Sequence, residues 1–235
     1  MPALLLIVLL LFLNQICPET NSEPKLISLG HNCYSAIQIQ QHGYRTAAYP
    51  FDWLITPLTG LNDVLKHDFE NFLDKQHLIL KRPFIINKLY DIYFRHDFFP
   101  LAKWRKQLST IQKKYSRRIQ RFRDLANCPT KIYFIRIIYA VTSNTSQIFY
   151  PEEALLLKQQ LHKQFPNTNF ELVLIFYGLE NNYDWTNAGI RNFYIHERNP
   201  PYWTEPDSPF INEQFCKIFE SLGCQKKPQR SNLCW

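Results

Sequence analysis

A cysteine nucleophile is the chemistry that the residue types of this chain suggest first. Cys33 ends the stretch SLGHNC, Ser28–Cys33, and follows the apolar run Leu26–Leu29, which has the length of a strand. Gly30 allows a sharp turn after that strand, and Asn32 can cap the helix predicted to follow. Cys33 would then lie in the first helical turn, where free backbone N–H groups and the helix dipole favour a thiolate. The alternative is a small buried side chain without chemistry.

Such a nucleophile needs a base within hydrogen-bond reach, usually oriented by a third polar group. Three of the seven histidines, His67, His96 and His196, are each followed by an acidic residue. His67 lies on a predicted amphipathic helix, where solvent exposure is expected, so His96 and His196 remain as candidates. His31 lies two residues from Cys33, where backbone geometry makes a productive pair awkward. From the residues alone the choice between His96 and His196 stays open.

The elements that must position these residues are strands alternating with helices. Four apolar runs predict strands, and their nearly continuous apolar character predicts a mainly parallel sheet flanked by helices in an α/β fold. Ligands bind such sheets at the carboxyl ends of the strands. Cys33 follows the first strand there, and His196 ends the last. The predicted strands are Leu26–Leu29, Lys131–Ile138, Phe170–Phe176 and Asn192–His196.

Apolar residues at three- and four-residue spacing predict the helices. The first runs from Tyr34 to Gly43, and a second begins at Pro57 and carries apolar residues as far as Phe72. A short strand or hairpin is predicted between the second and third helices. The remaining predicted segments are Leu78–Asp91 (strand or hairpin), Leu101–Leu125 (helix), Pro151–Phe165 (helix) and Ile211–Leu222 (helix).

The helix Leu101–Leu125 carries much of the excess positive charge of a chain whose formal net charge is +7. We expect its apolar face to be buried and its basic face to be solvated, which is a commoner role for such a face than binding nucleic acid. The residues expected to be buried are Trp104, Leu108, Ile111 and Phe122. The basic residues are Lys103, Arg105, Lys106, Lys113, Lys114, Arg117, Arg118, Arg121 and Arg123.

Length and composition indicate one globular domain. The chain has 235 residues, of which 46% are hydrophobic and 15% aromatic, so intrinsic disorder is excluded. Only six residues are glycine, and neither a P-loop nor a GxGxxG motif is present in the sequence. We expect a single α/β domain over residues 25–222 and a loose tail over residues 223–235.

The N-terminal segment indicates export. Ala3–Leu13 is an uninterrupted apolar run of eleven residues, which suits the core of a signal peptide better than a transmembrane helix. Residues 1–22 are therefore predicted to be a signal peptide or an uncleaved membrane anchor. The rest of the chain would be exported, with membrane contact only through that segment.

Export makes the cysteine count informative. Five cysteines follow Cys17, so a free Cys33 leaves four that could form two disulfides. Three of them lie close together in sequence, which favours a bridge within the tail. No Cys/His pattern has the spacing of a zinc site, and we expect neither a metal nor a cofactor. The three neighbouring cysteines are Cys216, Cys224 and Cys234.

Several motifs together resemble a family described as putative papain-like cysteine peptidases. The resemblance implies Cys33 as the nucleophile and favours His96 over His196 as the base. It also implies Asp52 or Asp97 as the acid that orients the base, and a papain-like α+β fold as the alternative architecture. The matching motifs are SLGHNC at 28–33, AYPFDW at 48–53, FRHDF at 94–98, RRIQRF at 117–122 and IYFIR at 132–136.

The leading hypothesis is an exported cysteine-dependent hydrolase or acyl transferase acting on a peptide or another acyl substrate. Asn32, Trp53 and Arg136 are the residues expected to contact that substrate. A second hypothesis is a binding domain in which Cys33 is simply buried. A third is a transferase for glycans or sugar phosphates, in which basic residues such as Arg45, Arg95 and Arg136 hold an anion at the strand ends.

Overall fold

The structure is a computed structural model that describes residues 23–139, 151–178, 184–186, 188–196 and 209–225. The predicted N-terminal targeting segment and the last ten residues lie outside these ranges. Among the described residues, no helix combines the length and the apolar character needed to cross a membrane.

A four-stranded parallel sheet lies at the centre, in the order β1-β6-β7-β8. Its members are β1 (Lys25–Ser28), β6 (Ile132–Tyr139), β7 (Phe170–Tyr177) and β8 (Arg191–Ile195). Each neighbouring pair is parallel. The predicted α/β fold is therefore confirmed, rather than the papain-like α+β alternative.

Within the described ranges, five helices cover this sheet on both faces. They are α1 (Tyr34–Gln41), α2 (Leu58–Lys66), α3 (Trp104–Arg123), α4 (Pro151–Gln164) and α5 (Pro209–Ser221). Helices α2, α3 and α4 share one core with Phe134 and Leu174 of the sheet. Helices α1 and α5 share a second core with Tyr133 and Ile175, on the opposite face. Successive strand residues thus meet different cores, which explains the nearly continuous apolar strands.

A second, antiparallel sheet of four strands was not predicted as a whole. Its order is β2-β5-β4-β3, and its strands are β2 (Leu54–Ile55), β3 (Leu78–Lys81), β4 (Phe84–Asn87) and β5 (Ile92–Phe94). The predicted hairpin corresponds to β3 and β4, which pair antiparallel. Strands β2 and β5 are two and three residues long, too short to leave a periodic pattern in the sequence.

The helix predicted from Pro57 is shorter than its apolar spacing suggested. It ends at Lys66, and the chain then enters a turn in which Asp68 and Phe69 have positive φ angles of 46° and 63°. Phe69 and Phe72 remain buried in the core. Their spacing therefore reflects burial of the turn and not continuation of the helix.

Helix α3 buries the predicted apolar residues and exposes most of its basic ones. Trp104 and Phe122 are 3% and 0% exposed. Two basic residues depart from the expectation of a fully solvated face. Lys114 is half-buried and pairs with Asp97 at 2.6 Å, and Arg118 is only 7% exposed.

The described cysteines form no disulfide with one another. Cys33, Cys128, Cys216 and Cys224 all carry free thiols. The expected bridge within the tail is therefore absent between Cys216 and Cys224, and Cys234 lies outside the described residues.

We predict that Gly30→Ala is much more destabilising than Gly223→Ala. Both glycines have positive φ, 75° and 83°, so both changes carry the cost of a left-handed alanine, about 1–2 kcal/mol. A Cβ at Gly30 would also lie 2.5 Å from Oγ1 of Thr56, whereas one at Gly223 meets nothing within 4 Å. We expect the free energy of unfolding in urea to fall by about 3 kcal/mol or more for Gly30→Ala. Equal losses in the two variants would contradict this close packing.

Candidate active site

The turn that carries Cys33 is bonded to Thr56. Gly30 and His31 both have positive φ, 75° and 79°, so the chain reverses direction sharply after β1. The backbone N–H of His31 donates to Oγ1 of Thr56 at 2.9 Å, and the N–H of Thr56 donates to the carbonyl of His31 at 3.1 Å. Thr56 is fully buried. These two hydrogen bonds fix the turn next to the end of β2.

Arg136 of β6 hydrogen-bonds to Leu29, which precedes the turn, and to Thr56. Its Nη1 donates to the carbonyl of Leu29 at 3.0 Å and to Oγ1 of Thr56 at 3.4 Å, and its Nη2 donates to the carbonyl of Thr56 at 2.7 Å. Burial lowers the pKa of Arg136 to about 9, although the charge of Glu153 opposes that shift. Arg136 is 2% exposed, and these bonds give it a structural role in positioning the turn. Its predicted contact with substrate stays a prediction.

Asn32 bonds to the start of α1 from the residue before the N-cap, Cys33, which itself makes no side-chain cap hydrogen bond. Oδ1 of Asn32 accepts the backbone N–H of Tyr34 at 2.8 Å, and Oγ of Ser35 donates back to the carbonyl of Gly30 at 3.3 Å. Cys33 occupies the residue directly before the helix. The role of Asn32 toward substrate stays a prediction, since its side-chain oxygen already serves the helix start.

The position of Cys33 at the start of α1 does not ionise its thiol. Cys33 is 8% exposed, and burial raises its pKa to about 11, while its own backbone N–H and the charge of Arg95 oppose that shift. Loss of hydration therefore outweighs the favourable end of the helix. At neutral pH the resting group is a thiol, contrary to the thiolate expected from placement alone.

His96 follows a strand of the second sheet. Strand β2 pairs antiparallel with β5, with Leu54 opposite Phe94, and His96 follows two residues after Phe94. The ring of His96 meets the edge of the Trp53 ring, with centroids 6.1 Å apart and planes at 76°. Because Thr56 directly follows β2, one short strand connects the Cys33 turn with the segment that carries His96.

Arg95 is electrostatically coupled to both candidate catalytic groups. Its charge lowers the pKa of Cys33, against the larger effect of burial. Partial burial lowers the pKa of His96, and the charge of Arg95 lowers it further while Asp97 opposes. The imidazole is therefore neutral at neutral pH and able to accept a proton.

Asp52 is engaged by Arg45. Its Oδ2 accepts Nη2 of Arg45 at 2.7 Å and the backbone N–H of Tyr49 at 3.0 Å. Burial raises the pKa of Asp52, and the nearby charge of Arg45 opposes that shift. The guanidinium of Arg45 also lies over the Trp53 ring, 5.3 Å from its centroid. Trp53 therefore lies between Arg45 and His96, and its contact with substrate stays a prediction.

Asp97 is engaged by α3. Its Oδ1 accepts Nζ of Lys114 at 2.6 Å, and its Oδ2 accepts the hydroxyl of Tyr115 at 2.7 Å. Within the described part of the chain, neither Asp52 nor Asp97 is hydrogen-bonded to His96. Their assignment as the acid that orients the base stays a prediction.

His196, the other base considered, lies at the far side of the parallel sheet. It follows β8, while Cys33 follows β1, and these are the two edge strands. Three strand spacings separate them, about 14 Å. Its ring stacks on Tyr194 at 6.5 Å. This placement disfavours His196 as a partner of Cys33.

Sequence reasoning missed the roles of Thr56 and Arg95. Thr56 follows PFDW directly, but nothing in its residue type distinguishes an acceptor for a turn from an ordinary strand residue. Arg95 was considered only as a possible anion ligand. No group of three or more His, Cys, Asp or Glu side chains among the described residues could hold a metal ion.

Comparison with known proteins adds a family to this geometry. Residues 24–178 match the family described as putative papain-like cysteine peptidases. The chain belongs to that family. The matched range includes Cys33, His96 and both candidate acids, and it ends before His196. The family of putative papain-like cysteine peptidases therefore covers all of the site except the alternative base.

One relative is an uncharacterised protein of Acanthamoeba polyphaga mimivirus, 27% identical over 141 residues. The alignment covers 49% of this chain and 62% of the relative, so the chain spans less than two thirds of that protein. No solved structure matches the chain significantly.

We predict that Thr56→Val is destabilising and that Thr56→Ser is tolerated better. Valine has the same shape but removes the oxygen that accepts the N–H of His31, leaving a buried donor without a partner at a cost of about 1–3 kcal/mol. Serine keeps that oxygen and loses one methyl group, worth about 1 kcal/mol. Urea unfolding of both variants measures the difference. A valine variant as stable as the serine variant would show that the hydrogen bond does not hold the turn.

We predict that His31 makes the protein less stable in acid. Burial, and then the charge of Arg136, lower the pKa of His31 to about 3, below the ordinary value of about 6.5. The unfolded chain therefore binds the proton first, and stability falls as the pH drops from about 6.5 toward 3, by up to about 4 kcal/mol.

The test compares wild type with His31→Asn, since asparagine tolerates the positive φ at this position. The two urea-unfolding curves should run parallel above pH 7. Below pH 6.5 the wild type should lose stability faster than the variant. Identical pH dependence in both proteins would mean that the fold does not lower the pKa of His31.

Proposed function

We propose that the chain is a cysteine-dependent acyl hydrolase or acyl transferase in which Cys33 is the nucleophile and His96 the general base. One observation carries the proposal. The β2–β5 pairing connects the Thr56-bound Cys33 turn to His96, and the charge of Arg95 acts on both groups. Membership of a family of putative cysteine peptidases supports the same class of chemistry.

The protonation states define the first step. Since the thiol pKa is about 11 and the pKa of His96 is lowered, the resting pair is neutral thiol and neutral imidazole. As Sγ of Cys33 attacks the acyl carbon, the imidazole of His96 accepts the thiol proton. The bond between the acyl carbon and the leaving group breaks, and that group takes the proton from His96. Water or an acceptor nucleophile then cleaves the thioester and restores the thiol.

The start of α1 is the candidate site for the oxyanion of the tetrahedral intermediate. The first backbone N–H groups of a helix lack partners within the helix, and such groups close to the nucleophile stabilise developing negative charge. Cys33 directly precedes α1. Asn32 already satisfies the N–H of Tyr34, so the following N–H groups are the ones assigned to this role.

The burial of Cys33 favours a second candidate, a binding domain without catalysis. A thiol that is 8% exposed, with its pKa raised by burial, is also what an inert packed cysteine shows. The two functions differ in the acylation of Cys33 and in its dependence on His96.

We predict that Cys33 is acylated by p-nitrophenyl acetate and that His96→Ala slows this acylation by about 10²–10⁴-fold. Release of p-nitrophenolate measures the rate, and intact mass identifies the acetylated residue. Cys128 must first be changed to alanine. Although burial raises the pKa of Cys128, hydrogen bonding to Thr130 and Lys25 together with the charge of Lys25 outweighs it and the net shift is downward, so this thiol would compete for the reagent.

Cys33→Ala should abolish the part of the reaction that depends on His96, and His196→Ala should leave it unchanged. The rate should rise with pH as His96 loses its proton, below about pH 6.5, and then level off through neutrality. A rate that instead follows hydroxide up to pH 11, unaffected by His96→Ala, would favour the binding domain.

A further inference from the structure

One ridge of α3 faces the turn that carries Asp52 and Trp53. Lys114, Arg118 and Arg121 lie four and three residues apart and so project from one side of the helix. Lys114 binds Asp97 at 2.6 Å, and Nη1 of Arg121 donates to the carbonyl of Ala48 at 3.2 Å. Arg118 lies between them and is therefore directed toward the same region.

Arg118 has no hydrogen-bond acceptor within the described part of the chain. It is 7% exposed, and its Nη1 is completely covered and without a partner. Its guanidinium lies 5.2 Å from the centroid of the Tyr115 ring. A buried guanidinium with unsatisfied donors is unfavourable, which makes this residue a candidate for binding something outside the chain.

The nearby acids do not supply the missing partner. Burial raises the pKa of Asp52, and the charge of Arg118 opposes that shift. The carboxylate nevertheless binds Arg45, at 2.7 Å. Asp97 binds both Lys114 and the hydroxyl of Tyr115. Each acid already has its own cation, and Arg118 remains a positive charge in excess.

We infer that Arg118 binds an oxyanion of the substrate, a carboxylate or a phosphate, beside the turn that carries Trp53. The planar guanidinium fork matches either group. The guanidinium itself is covered, so an oxyanion reaches it when one of the two flexible neighbours moves aside, the Lys114 side chain, which is 36% exposed, or that of Arg121, which is exposed. This inference rests on the proposed function only in assigning the oxyanion to the substrate.

Trp53 connects this position to the proposed chemistry. It follows Asp52 in sequence, it lies under the guanidinium of Arg45, and its edge meets the ring of His96. An oxyanion at Arg118 would therefore place the rest of the substrate along the Trp53 wall toward His96. The basic face of α3 would also attract such a substrate from solution.

Thermal unfolding in phosphate, in acetate and in chloride at one ionic strength tests the site. We expect phosphate or acetate to raise the Tm of wild type saturably over chloride, on the order of 3–5 °C at ten times the dissociation constant. Arg118→Met should lose the shift, and Arg118→Lys should keep a weaker one. Arg117→Met, an exposed neighbour on the same helix, should keep it fully. In chloride, Arg118→Met should unfold at the same or a higher temperature than wild type.

An undiminished shift in Arg118→Met would overturn the inference. So would a lower Tm of that variant in chloride, which would show that Arg118 supports the fold through Asp52. Cys33→Ala should retain the whole shift, so an inert Cys33 defeats the proposed function without touching this result.

The assignment to substrate has its own test. In the Cys128→Ala protein, Arg118→Met should lower kcat/KM about tenfold for the mono-p-nitrophenyl ester of succinic acid. It should leave kcat/KM for neutral p-nitrophenyl acetate unchanged. Equal effects on both esters would place Arg118 outside substrate binding.

Discussion

The buried guanidinium of Arg136 is the interaction on which the candidate site depends. It belongs to the central strand β6, and its hydrogen bonds reach Leu29 at the end of β1 and Thr56 at the end of β2. Those two residues directly follow strands of different sheets. Burying a cation without a carboxylate bonded to it is unfavourable unless its donors are satisfied, and here backbone carbonyls satisfy them. The need to satisfy the donors of Arg136 fixes the positions of the two sheets relative to each other.

The hydrogen bonds around Arg136 explain how a small α/β sheet can present a cysteine and a histidine from distant parts of the chain. Cys33 comes from the turn after a parallel strand, and His96 from the end of an antiparallel one. Thr56 joins them, since it bonds to His31 on one side and continues β2 on the other. The aromatic ring of Trp53 then covers one side of His96. The acids that family resemblance assigns to the base are held instead by Arg45 and Lys114.

Much of this fold is readable from sequence because its strands and helices bury broad apolar faces. Runs such as Lys131–Ile138 and Leu101–Leu125 carry strong periodic signals, and both elements form as predicted. The second sheet has no such signal, because β2 and β5 are stabilised by pairing and not by their own pattern. The site residues found from sequence were those with reactive side chains. Thr56 matters because its hydroxyl lies next to the turn, and the pKa of Cys33 is raised because the folded chain buries it. Neither property can be read from the neighbouring residues in the sequence.

The short length of β2 has a consequence for how the protein responds to heat. Only two residue pairs join β2 to β5, whereas eight join β6 to β7. Local opening concentrates where few hydrogen bonds and contacts must break. Cys33 and His96, the proposed nucleophile and base, lie on opposite sides of this short pairing, so its local opening on warming would misalign them before the parallel sheet unfolds. Catalytic activity would then be lost at a lower temperature than the fold, and the proposed catalytic pair would be the most heat-sensitive part of the protein.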